Sequence, residues 1–161
     1  MEPPATTIPP EMEWLSERLT RNHFANWMRM KLIRATDGEV DILVPWREEF
    51  ISNPDARFMH GGVLAAIVDT AGSFATATRL GRPPQTIDMR VDYHSTARPG
   101  DFVARSRIIR MGRTIATADT EIFSLDNKLV ASGRGTYLAA ITDMSQLPRS
   151  ASPPHKEDDP G

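Results

Sequence analysis

The stretch HGGVLAAIVDTAGSFATATRLG, His60 to Gly81, decides how this chain is read. From Gly61 to Thr78 nearly every residue is apolar or small, so the helix it predicts has no polar face to turn to water and must be covered on most sides. Gly81 suits the position just past a helix end, and Pro83-Pro84 cannot continue the helix. The run approaches membrane length. It also carries Asp69, further glycines and several threonines and alanines, and is therefore read as a helix buried in a soluble fold.

Before it, Met12, Leu15 and Leu19 recur at helical spacing within Glu11 to about Phe24. Met28, Met30 and Leu32, then Val40, Ile42, Val44 and Trp46, alternate with polar residues, and Asp37-Gly38 between the two runs is a hairpin signal. Arg47 to Met59 reads as a loop containing Asn53-Pro54-Asp55. Beyond the helix, Ile87, Met89, Val91 and Tyr93 alternate with Asp88, Arg90, Asp92 and His94, which predicts a strand with one buried face. Turns at Pro99-Gly100-Asp101, Met111-Gly112-Arg113 and Asp126-Asn127 separate three more strands. Four strands joined by short turns form an antiparallel meander. The expectation is an α+β chain in the hotdog layout: a curved antiparallel sheet of about six strands wrapped around one central helix, with a short N-terminal helix outside. Residues 1–10 are expected to be a loose lead, 11–142 one domain, and 143–161, Pro-rich and charged, a disordered tail.

Composition narrows the function. The 161 residues carry a net charge of −2, so no broad field favours nucleic acid, although 16 arginines against 3 lysines can build a local anion site. Without cysteine there is no thiol nucleophile, disulfide or cysteine-ligated metal. That absence suits a reducing compartment, and no secretory signal precedes the domain, so a cytoplasmic, membrane-free setting is expected. His23, His60, His94 and His155 show no metal-ligand pairing, and no G-x-S-x-G, Walker A or H-E-x-x-H pattern occurs. Gly133-Arg134-Gly135 lacks the third glycine of a dinucleotide loop. Neither metal nor cofactor is expected.

Asp69 is the only ionisable residue between Gly61 and Thr78. A carboxylate there is costly unless it is hydrogen-bonded or faces a cavity. It is therefore either a structural buried acid or a base or nucleophile at a site. Ser73, four residues on, shares its helix face. At the helix start, His60-Gly61-Gly62 offers backbone N–H groups free of side-chain bulk at the positive end of the helix dipole, where a developing oxyanion can be held. Gly61 and Asp69 lie about 12 Å apart along one helix, from the rise of about 1.5 Å per residue. One carbonyl cannot touch both, so a shared site demands two chains.

The pattern His60-Gly61-Gly62, six residues, Asp69 resembles the phenylacetyl-CoA thioesterase (PaaI-type) branch of the hotdog superfamily, and Thr86 to Tyr93, Met111 to Thr114 and Ala131 to Tyr137 are similar to its later segments. The resemblance implies an acyl-CoA thioesterase acting on an aromatic or medium-chain acyl group, with its site at a homodimer interface and dimers paired into a homotetramer. It implies that Asp69 is base or nucleophile, that the Gly61 N–H polarises the thioester carbonyl, and that His60 and Gly62 shape that loop. Ser73 or Thr86 would assist the water, and Arg110 and Arg113 would meet the phosphates of CoA. Relatives place an Asn near the water. Here Asn53 begins a segment one residue longer and lacking the relatives' glycine, which leaves its role open. The rival expectation is a non-catalytic acyl-CoA sensor on the same fold.

Overall fold

The computed structural model describes residues 5–140. Two short helices, α1 (Glu13–Arg21) and α2 (His23–Trp27), precede the hairpin β1 (Lys31–Thr36) and β2 (Glu39–Val44). A small hairpin, β3 (Ile51–Asn53) and β4 (Phe58–Met59), leads into the long helix α3 (Gly61–Leu80). Then come β5 (Thr86–Tyr93), β6 (Phe102–Met111), β7 (Ile115–Ser124) and β8 (Leu129–Leu138). The large sheet runs β1-β2-β6-β7-β8-β5, antiparallel throughout, and α3 packs across its inner face against β2 and β6 to β8. This is the hotdog fold expected from the sequence.

The apolar helix is covered as its composition demands. Leu64, Ile67, Val68, Ala71, Phe74, Ala75 and Ala77 join Val40, Ile42, Phe102, Ala104 and Ile122 in one core. Gly81, in the left-handed region at φ 68°, closes α3 with its N–H donating to the Ala77 carbonyl. The Asp37-Gly38 turn is tied to the same end. The Gly38 N–H donates to Thr78 Oγ1 at 2.9 Å, and Asp37 pairs with Arg79 at 2.8 Å.

The structure departs from the sequence reading in five places. The expected four-strand meander holds only for β6 to β8, because β5 crosses to pair with β8 while β6 pairs with β2. The stretch from Arg47 to Met59, read as a loop, contains the β3–β4 hairpin. The single N-terminal helix is broken at Asn22, whose Oδ1 accepts from the Phe24 and Ala25 N–H groups and starts a second helix. The first strand begins at Lys31, because Arg29 takes a positive φ of 56° and the buried Met28 and Met30 flank that turn. The face of β5 expected to be buried is covered only at Val91, which packs against the core, while Ile87 and Tyr93 are 56% and 57% exposed.

The two sheet edges differ. Beside β1, the Thr7 N–H donates to the Ile33 carbonyl at 2.7 Å and the Ala35 N–H to the Thr7 carbonyl at 3.3 Å. No described residue pairs with the outer edge of β5.

Candidate active site

Asp69 sits in the middle of α3, half-buried, and Thr86 at the start of β5 reaches it. Thr86 Oγ1 donates to Asp69 Oδ1 at 2.6 Å, while Oδ2 has no partner among the described residues. Tyr137 on β8 lies beneath, and its hydroxyl donates to the Asp69 backbone carbonyl at 3.3 Å. Burial, reinforced by the Asp69 charge, pushes the Tyr137 hydroxyl well above the ordinary phenol range, so it stays a protonated donor. The ring fits only because glycines flank it: a Cβ at Gly72 or Gly135 would fall within the space of the Tyr137 hydroxyl. On β8, then, Gly135 serves close helix–sheet packing.

Asp69 opens onto a hollow of about 430 Å³. From α3, Thr70, Ser73 and Phe74 line it with Asp69, and Pro83, Pro84 and Thr86 form a second wall. Of the aromatic residues near the helix, Phe74 alone faces this hollow, whereas Trp46 packs against Phe50 and Phe102. The third wall is Arg18, Arg21 and Asn22 from the end of α1, which sequence reading did not connect with Asp69. A larger hollow, about 770 Å³, lies on the outer face of the sheet between rows of ion pairs such as Arg134–Asp119 and Arg90–Asp92. It lies across the sheet from the Asp69 hollow, and four of its five acids, Glu39, Asp41, Asp92 and Asp119, are engaged with arginines.

At the other end of α3, His60 is the helix cap. Its Nδ1 accepts from the Gly62 N–H at 2.8 Å, and a Cβ at Gly62 would press on that ring at 2.9 Å. Tyr93 crosses Gly61, donating its hydroxyl to the Gly61 carbonyl at 3.0 Å with its ring 3.3 Å from where a Cβ would stand. The Gly61 N–H is left without an acceptor among the described residues, as expected for the first turn of a helix. Thus β5 touches both ends of the candidate machinery, through Thr86 at Asp69 and Tyr93 at Gly61.

The remaining residues scatter. Asn53 Oδ1 accepts from the Asp55 and Ala56 N–H groups at 2.9 and 2.8 Å, so its amide oxygen is engaged in holding the β3–β4 turn. Arg110 and Arg113 sit at the β6–β7 turn and line no part of the Asp69 hollow. No group of acids and histidines among the described residues is arranged to hold a metal ion, and no described helix is long and apolar enough to cross a membrane.

An open carboxylate on the buried helix of a hotdog sheet, with one bare amide, that of Gly61, at the helix start, suits an acyl-handling protein, and comparison gives the family. A model of the thioesterase superfamily matches residues 57–131, which contain both His60-Gly61-Gly62 and Asp69. Human acyl-coenzyme A thioesterase 13 is 30% identical over 67% of this chain and 78% of its own length. A medium/long-chain acyl-CoA thioesterase of Escherichia coli is 32% identical over 55% of this chain and 66% of its own length. An X-ray structure of a thioesterase-superfamily protein superposes with a TM-score of 0.77 at 43% identity, covering 78% of this chain and 96% of the other. The chain belongs to the thioesterase superfamily and is by class a thioester hydrolase.

Proposed function

We propose that this protein is an acyl-CoA thioesterase of the phenylacetyl-CoA-thioesterase-like branch, cleaving an aromatic or medium-chain acyl-CoA to the free acid and CoA. The observation that carries the reading is Asp69 at the wall of a hollow, with Oδ1 held by Thr86 and Oδ2 free.

In this reading the acyl carbonyl oxygen accepts from the N–H of Gly61 of the partner subunit, and Asp69 acts on the carbonyl carbon. As a base, Asp69 takes a proton from water while the water oxygen bonds to that carbon. The C–S bond then breaks, and the thiolate of CoA leaves and recovers the proton. As a nucleophile, Asp69 would form the C–O bond itself, expelling the thiolate, and water would cleave the resulting anhydride. Ser73, one turn from Asp69 and lining the same hollow, would assist that water. His60 and Gly62 hold the loop that presents the Gly61 amide.

The two-chain site is supported by the open edge of β5. Among the described residues that edge has no strand partner, and Ile87 at its bulge and the helix-side Met89 and Tyr93 stand exposed beside it. Antiparallel pairing of two β5 edges about a two-fold axis would cover them and bring each α3 toward the other. The homodimer is thus the working unit, and the family resemblance supports pairing of dimers into a homotetramer. The absence of cysteine supports a cytoplasmic setting.

A hydrolysis assay over aromatic and straight-chain acyl-CoAs tests the function. Release of free CoA from at least one class is expected. Tight binding of acyl-CoA without release of CoA would favour the sensor instead.

A further inference from the structure

The hollow beside Asp69 is short of apolar wall. Phe74, Pro83 and Pro84 are its apolar residues, whereas α1 contributes two arginines, Arg18 and Arg21. Arg18 is exposed and joins no ion pair among the described residues. Arg21 meets only Glu17, at 3.7 Å with both side chains above 70% exposed, a contact that water screens. Asp69 is the single acid of the lining, and no hydrogen bond links it to either arginine. The residues around the hollow therefore carry two basic side chains against one carboxylate. A purely alkyl or aryl group filling it would desolvate charged groups and give them nothing in return.

We infer that Arg18 and Arg21 select acyl groups carrying an anionic oxygen group, a carboxylate a few carbons from the thioester. This rests on the thioesterase reading of Asp69 and goes beyond it by naming the substrate class. The forked guanidinium suits a carboxylate, and a surplus of positive charge in a narrow hollow draws an anion inward. The same chemistry is available from the phosphates of CoA, but length separates the two sources. Between the sulfur and the first phosphate lies the pantetheine arm, with two amide units and a branched carbinol, too long to fit in a hollow of about 430 Å³ that must also hold the reacting carbon. An anion met within that hollow belongs to the acyl group. For longer acyl groups there is room beyond. A second hollow of about 480 Å³, walled by Trp14 and Leu138, shares Arg18 and Pro83 with the first.

The test compares hexanoyl-CoA with 5-carboxypentanoyl-CoA, and the matching N-acetylcysteamine thioesters, which lack phosphate. Wild type and the double variant Arg18→Gln/Arg21→Gln are assayed in parallel. Both positions lie on the exposed side of α1, and an unchanged thermal melt confirms the fold of the variant. The inference expects wild type to favour the carboxylated ester in kcat/KM by tenfold or more, mainly through KM, on both carriers, the scale of one charge-assisted hydrogen bond. The double variant should bring that ratio near one, and Arg18→Lys/Arg21→Lys should keep part of it. A wild-type ratio at or below one, or a ratio untouched by the variant, overturns the inference and leaves the thioesterase reading standing. So does a loss confined to the CoA esters, which would assign the arginines to phosphate. Failure of wild type to hydrolyse any of the four while it cleaves an aromatic acyl-CoA run beside them overturns the inference alone, and failure on that ester too overturns the thioesterase reading with it.

Discussion

Thr86 Oγ1 donates a 2.6 Å hydrogen bond to Asp69 Oδ1, joining the first residue of an edge strand to the middle of the buried helix. The bond fixes which carboxylate oxygen faces the hollow. Thr86→Val removes the donor at nearly constant volume and leaves Asp69 free to rotate. We expect kcat to fall by about 10- to 100-fold, the equivalent of one hydrogen bond to a charged group. Little change is expected in KM, and Thr86→Ser should retain most of the rate. Steady-state kinetics on one acyl-CoA checks this.

Beneath the site, Tyr137 lies between Gly72 and Gly135 with its hydroxyl on the Asp69 carbonyl. A methyl group at Gly72 has nowhere to go unless the ring moves. Gly72→Ala should destabilise the protein by about 1–3 kcal/mol through overpacking, although alanine is the better helix former. Tyr137→Phe keeps the ring and loses one hydrogen bond, so a smaller loss of about 1 kcal/mol is expected. Urea unfolding of both variants gives the order, and Tyr137→Phe proving the worse would contradict this packing account.

Met89 lies on the helix-side face of the open β5 edge, 38% exposed, between the residues that touch Asp69 and Gly61. Met89→Arg puts a charge where the two protomers are proposed to meet. We expect the dimer to dissociate at micromolar concentration in sedimentation and thioesterase activity to fall in parallel. A monomer that keeps full activity would show that one chain holds a complete site.

The sequence made the buried helix legible because α3 is apolar at nearly every position, so the reading did not depend on phase, and Gly81 with Pro83-Pro84 marked its end. Asp69 stood out for the same reason, as the one charge in that run. The resemblance put His60 in the loop, but its capping contact was not readable, because a cap is set by a ring turning back on the Gly62 amide, and spacing does not encode rotamers. The alternation in β5 foretold a buried face that the single chain covers only at Val91, since periodicity reports that a face is apolar and not which chain covers it. Arg18 and Arg21 stayed hidden because some fifty residues separate them from Asp69. Only the docking of α1 beside α3 brings them together.

The account turns on what the Asp69 carboxylate does, and Asp69→Asn is the direct measurement, since the amide keeps the shape and the contact with Thr86 but is neither base nor effective nucleophile. Acyl-CoA hydrolysis and binding of a non-hydrolysable thioether analogue are measured on the same preparations of wild type and variant. The prediction is a loss of kcat by at least about 10²-fold, the usual scale for a lost general base, with binding of the analogue kept within severalfold. Hydrolysis at the wild-type rate by Asp69→Asn would contradict the claim that this residue drives the chemistry.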